Sequence, residues 1–155
     1  MDDTSKNLIL PQWMSRRHKW QLELWSDKQD KVNLYVETTG KRGKRFSGWL
    51  QRDIARALLQ DVRDAQKLLI PRPRSLGARF LARLTKRKEV FRASPDYTLV
   101  FWGEKDRRFQ SLTIHPAMLK DPWLLCLQGQ EAQEFADDLR SAIVMAEHVE
   151  EGAVI

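Results

Sequence analysis

One cysteine, three histidines and no long apolar run set the first limits on this chain of 155 residues. Cys126 cannot form an intramolecular disulfide, and its place in the apolar run Trp123 to Leu127 predicts an inert thiol on a buried strand. His18, His115 and His148 stand far apart, none with a carboxylate or cysteine at metal-ligand spacing, so neither a metal centre nor a cofactor is expected. The acid pairs Asp137-Asp138 and Glu150-Glu151 lack the partner motif a two-carboxylate hydrolase needs. No serine elbow, HExxH, Walker loop or dinucleotide fingerprint is present, and the chain is read as non-catalytic. The start, Met1-Asp2-Asp3-Thr4, is acidic and no apolar span follows it. That predicts neither a secretory signal nor a membrane segment, and a cytoplasmic location.

What is present is an ordinary globular composition, 42% hydrophobic and 31% charged, long enough to bury a sizeable core in a single domain. A net charge of +6 with a pI near 9.7 points to a polyanionic partner. The charge is uneven along the chain. Residues 1 to 95 hold 22 Lys and Arg against 10 Asp and Glu, whereas residues 96 to 155 hold 5 against 11.

The chain also repeats. At a fixed offset of 77 positions Leu22, Trp25 and Lys28 meet Leu99, Trp102 and Lys105, and Leu50-Gln51, Ala55, Asp61, Arg63 and Ala65 meet Leu127-Gln128, Ala132, Asp138, Arg140 and Ala142. These nine identities fall at matching points of a strand-then-helix pattern. The fold class expected is α+β: internally duplicated antiparallel β-strands followed by a helix, pseudo-twofold, with repeats over about 20–69 and 97–148 and a basic linker over 70–96.

In the first copy Trp20, Leu22 and Leu24 alternate with Gln21, Glu23 and Trp25, and Val32, Leu34 and Val36 alternate with Asn33, Tyr35 and Glu37. A connection rich in glycine and base, Thr38 to Arg45, predicts a hairpin tip projecting Lys41, Arg42, Lys44 and Arg45 as phosphate contacts. Phe46 to Leu50 reads as a third strand with Trp49 on the face opposite Leu50. From Gln51 the period turns helical, and Ile54, Ala55, Leu58, Val62 and Ala65 trace one stripe that should cover one side of the sheet.

Within the linker, Ser75 is read as the cap of a short helix whose Arg79, Arg83 and Arg87 form a basic ridge. The second copy repeats the alternation from Tyr97 to Trp102. Its next strand, Phe109 to Ile114, has an awkward phase, which a bulge or a one-residue shift would resolve. A helix follows from about Gly129 to His148, and the tail Glu147 to Ile155 reads as frayed. The acids of this half are the surface left for a protein partner or a second copy of the chain.

A doubled unit of antiparallel strands followed by a helix resembles the Whirly and Pur-type single-stranded nucleic-acid-binding proteins. Members have four strands per unit and three are read here. Leu8 to Leu10 is one candidate for a fourth strand, and Val90 to Arg92 a poor one. The resemblance implies binding through the exposed β-surface, often in an oligomer. It singles out Trp25, Tyr35, Lys41, Arg42, Lys44 and Arg45, and in the second copy Trp102, Arg107 and Arg108. Parity adds Trp49 to the aromatic face, where rings would stack on bases and cations would meet the backbone. If a second layer covers these rings, they are core instead. The rival function is a protein-interaction, adaptor or inhibitor module that binds no nucleic acid.

Overall fold

The computed structural model describes residues 13–26, 32–39, 45–69, 86–104, 109–116 and 125–152. The duplication takes the form of two four-stranded antiparallel sheets. In the first, β1 (Trp13–Arg16), β2 (Trp20–Ser26), β3 (Val32–Thr39) and β4 (Arg45–Leu50) are neighbours in that order, and α1 (Arg52–Gln66) follows. In the second, β5 (Lys86–Ala93), β6 (Tyr97–Glu104), β7 (Phe109–Pro116) and β8 (Leu125–Gln128) repeat the order, and α2 (Gly129–Gly152) follows.

Each copy thus has one strand more than its alternation predicts. The extra strand of the first copy is β1; Leu8 to Leu10 lies outside the described residues. In the second copy it is β5, which occupies part of the stretch read as linker and contains Val90 to Arg92. Arg87 therefore lies on a strand and not on a helical ridge, while Ser75, Arg79 and Arg83 lie outside the described residues. The turns that join these strands to their neighbours are equivalent. Arg17 N–H donates to Trp20 C=O at 2.8 Å and Ser94 N–H donates to Tyr97 C=O at 2.9 Å, again 77 positions apart. Ser94 Oγ fixes the second turn further by accepting from Asp96 N–H and Tyr97 N–H.

The expected bulge is present. Between Trp102 and Gly103 the β6–β7 register shifts, with Ser111 opposite Trp102 and Phe109 opposite Gly103, so Gln110 is the extra residue. This shift turns Leu112 and Ile114 to the buried face. A second shift, between Val90 and Arg92, leaves Phe91 as the extra residue of β5.

Compactness does not follow the repeats. One compact unit comprises Met1–Leu59 with Asp137–Ile155, the other Gln60–Ala136. The two break points, inside α1 and inside α2, are themselves 77 positions apart.

In the first unit Trp20, Leu22 and Leu24 of β2 and Leu34 and Val36 of β3 are buried on one face. Ala55 of α1 and Ala142, Ile143 and Ala146 of α2 line one small cavity with Leu24, Val32, Leu34 and Leu50, so both helix segments lie against that face. Each fully buried Leu stabilises the unit by about 1.5–3 kcal/mol. Polar clasps complete it. Asp138 accepts from Ser15 Oγ at 2.7 Å, Trp20 Nε1 at 3.0 Å and Arg17 Nε at 3.0 Å. Glu150 pairs with Arg52 and accepts from Val32 N–H at 3.1 Å, and Glu147 pairs with Arg56. The stretch from Glu147 is therefore ordered helix through Gly152, contrary to the frayed tail expected.

The second unit buries Tyr97, Leu99 and Phe101 of β6, Leu112 and Ile114 of β7, and Leu125 and Leu127 of β8. Val62 and Ala65 of α1 and Ala132, Phe135 and Ala136 of α2 are its buried helical residues. Asp61 accepts from the Tyr97 hydroxyl and pairs with Arg92 Nε at 3.4 Å. Glu131 reaches back to accept from Gln128 N–H at 3.1 Å, half of a capping box that starts α2 and accounts for one of its early acids.

Candidate nucleic-acid interface

With one face of each sheet buried, the residues of opposite parity form an outer face, and the cross-strand registers order them into rows. On the first sheet one row is Met14, Glu23, Tyr35 and Trp49, and the next is Arg16, Gln21, Glu37 and Ser47. Trp49 on the edge strand is 56% exposed, whereas Trp25 and Tyr35 are half-buried. The Tyr35 and Trp49 rings meet at 5.3 Å with an interplanar angle of 62°. Trp25 Nε1 donates to Glu23 Oε2 at 2.9 Å, and Gln21 Nε2 donates to Glu23 Oε1. Three of the expected aromatics are thus gathered on one face, together with Glu23 and Glu37, which share their parity.

The second sheet presents a different face on the same frame. One row is Lys88, Trp102, Ser111 and Gln128, and the next is Val90, Val100, Thr113 and Cys126. Lys88 Nζ lies 5.6 Å from the centre of the Trp102 ring. Trp102 Nε1 donates to Thr113 Oγ1 at 3.1 Å, and that hydroxyl lies 3.1 Å from His115 Nε2. Burial, with the charge of Lys88, holds the His115 imidazole below its ordinary pKa and so neutral. Neither of these two rows contains an acid. At the positions equivalent to Glu23 and Glu37 stand Val100 and His115.

One expectation about this face is corrected. Cys126 is exposed, because Leu125 and Leu127 take the buried parity of β8 and turn the residue between them outward. Val100 is buried although it shares the parity of Trp102. Of the other singled-out residues, Arg45 lies in β4 opposite Thr39 and Arg87 in β5 opposite Gly103. Lys41, Arg42, Lys44, Arg79, Arg83, Arg107 and Arg108 lie outside the described residues.

Lys88, Ser111, Thr113, His115 and Gln128 went unremarked as site residues. The signal for Lys88 was its strand parity, hidden while residues 86–93 read as linker.

The chain matches no protein-family model and no curated protein sequence. Its charge, regrouped by compact unit, departs from the split along the sequence. The first unit holds 13 Lys and Arg against 12 Asp and Glu, and the second 14 against 9. Asp138, Glu147 and Glu150 of the acidic half are engaged with Arg17, Arg56 and Arg52 inside the first unit. Among the described residues no group of His, Cys, Asp and Glu is arranged to hold a metal ion. Nor is any described helix long and apolar enough to cross a membrane.

Proposed function

We propose that the chain is a non-catalytic binder of single-stranded DNA or RNA, and that the outer face of its second sheet is the contact surface. The observation that carries this reading is the row Lys88, Trp102, Ser111 and Gln128: a cation over an indole, continued by two neutral hydrogen-bonding side chains. Single strands expose base faces that a duplex keeps stacked, so an indole can stack on a base while an ammonium meets a phosphate and an amide reaches a base edge. The neutral His115 and the buried Val100 leave no carboxylate at the positions where the first sheet has two. A unit holding 14 basic residues against 9 acidic ones adds the long-range attraction. The doubled order of four strands and a helix is also the order that the Whirly and Pur-type resemblance implies.

Titration with single-stranded and duplex oligonucleotides at two salt concentrations tests the reading. Wild type should prefer the single strand, and Trp102→Ala should lose about 1–3 kcal/mol of binding. Lys88→Gln should lower the slope of log K against log salt by about 0.7. Absence of salt-sensitive binding, or both variants binding as wild type does, would refute the proposal.

A further inference from the structure

Val100 and Thr113 face each other across β6 and β7 on the outer face of the second sheet, yet they are only 3% and 4% exposed. Side chains of that face must cover them. On one side of the pair stands Trp102, whose Nε1 donates to Thr113 Oγ1 at 3.1 Å, and on the other stands His115, whose Nε2 lies 3.1 Å from the same oxygen. Two rings from flanking rows thus lean toward one cross-strand pair, and both are themselves only half-buried. Their hydrogen bonds can be assigned. Thr113 has one hydroxyl proton and two lone pairs, with Val100 C=O at 3.4 Å as an acceptor, and the neutral imidazole carries a single N–H. All three contacts are satisfied together when Trp102 and His115 both donate to Thr113 Oγ1 and the hydroxyl donates to Val100 C=O.

A side chain that is already held in its binding orientation loses less freedom when a ligand stacks on it, so a ring tethered at its nitrogen makes a better platform than a free one. Here two such rings meet at one atom. Successive bases of a single strand are neighbours along one backbone, and a strand laid over this face can place one base on the indole and the next on the imidazole. Lys88, with Nζ 5.6 Å from the centre of the Trp102 ring, stands ready for a phosphate. The equivalent indole of the first sheet, Trp25, donates instead to Glu23 of its own strand. Building on the nucleic-acid reading above, we propose that Thr113 is a positioning residue, its hydroxyl oxygen holding Trp102 and His115 as adjoining platforms for two successive unpaired bases.

The test titrates single-stranded oligonucleotide into the full chain at two salt concentrations, at about pH 8 so that His115 is neutral. Thr113→Val, which keeps the side-chain shape without the hydroxyl, and His115→Ala should each weaken binding roughly tenfold. Neither removes a cation, so the slope of log K against log salt should stay at its wild-type value. Thr113→Ser keeps the oxygen and should bind as wild type, and His115→Phe keeps a ring and should bind better than His115→Ala. A merely structural role is separated by a mutant cycle: in a Trp102→Ala, His115→Ala background, Thr113→Val should weaken binding by less than about twofold, because nothing remains for it to position. Should Thr113→Val lose its fold by circular dichroism, His115→Ala at its half-buried site carries the test. Wild-type affinity in either single variant, Thr113→Ser as weak as Thr113→Val, or an equal loss with and without the two rings would overturn the inference while single-strand binding stands. Absence of salt-sensitive binding by wild type would instead remove the reading on which it rests.

Discussion

The indole N–H of Trp20 donates to Asp138 Oδ2 at 3.0 Å, and its equivalent 77 positions on, Tyr97, donates its hydroxyl to Asp61, the equivalent of Asp138. The aromatic of each sequence copy is thus tied to the helix of the other copy. The pairs sit just past the points where α1 and α2 pass from one compact unit to the other. Ser15 and Arg92, equivalent by register, approach the same two aspartates. A duplicated sequence has here become two units that each contain parts of both copies.

Asp138 should therefore matter more to stability than its place on a helix suggests. Asp138→Ala removes the acceptor of a residue only 3% exposed, and a buried donor left unsatisfied costs about 1–3 kcal/mol. Asp138→Asn keeps an oxygen for Trp20 but loses the charge and one acceptor for Arg17. Denaturant midpoints should fall in the order wild type, Asn variant, Ala variant. A midpoint for the Ala variant equal to wild type would show that the clasp contributes nothing.

Acid should act through the same carboxylate. Burial alone would raise the Asp138 pKa, but the hydrogen bonds from Arg17, Ser15 and Trp20 outweigh it and hold the group below the usual carboxylate range. Its contribution to stability is present above the ordinary carboxylate pKa and is lost as pH falls through the depressed folded value. Midpoints measured at and below about pH 4 should thus drop more steeply for wild type than for Asp138→Asn. Parallel pH profiles would remove Asp138 from the acid transition.

His115 predicts a second, milder dependence. Its imidazole is held below the ordinary value by burial and by Lys88, so the unfolded chain takes up this proton more readily than the folded one. Stability should rise with pH up to about 6.5 and be lost progressively below it. His115→Gln should flatten the midpoint-against-pH curve in that window and Lys88→Gln should narrow the window. A His115 titration followed by NMR at or above the ordinary histidine value would contradict the assignment.

Exposure of Cys126 is simple to check. The folded protein should react with one equivalent of a thiol reagent without denaturant, and Cys126→Ser should change stability by no more than about 0.5 kcal/mol. Phe135→Ala provides the contrast, because truncating a fully buried aromatic costs about 3–5 kcal/mol. A thiol that reacts only after unfolding would return Cys126 to the core.

The three outer-face tryptophans should separate by function. Trp102→Ala should weaken oligonucleotide binding, with a loss of stability well below the about 3–5 kcal/mol of a core aromatic. Trp49→Ala should leave oligonucleotide binding and stability near wild type. Trp25→Ala removes one of the two donors to Glu23 and should also leave oligonucleotide binding near wild type. If oligonucleotide quenches the fluorescence of a Trp102→Ala protein as fully as wild type, the responsible indole lies elsewhere.

Much of this molecule was legible in the order of its residues. Hydrophobic alternation and helical period are local, so Leu22, Leu24, Val36, Leu58 and Phe135 declared their buried faces, and the phase slip in β7 announced its bulge. The offset of 77 exposed the duplication without any structure. What tertiary structure alone decided is everything that depends on a distant neighbour. β5 looked like a linker because a terminal strand of a sheet tolerates a charged run such as Lys86, Arg87 and Lys88, which carries no apolar alternation. Cys126 looked buried because an apolar run has no visible parity until its register with β7 is known. The acids of the second half looked like a surface until folding brought Asp138, Glu147 and Glu150 against Arg17, Arg56 and Arg52, each more than 90 positions away in the chain. Periodicity records which side of an element is buried, but which charges meet across a fold is set only when the chain closes on itself.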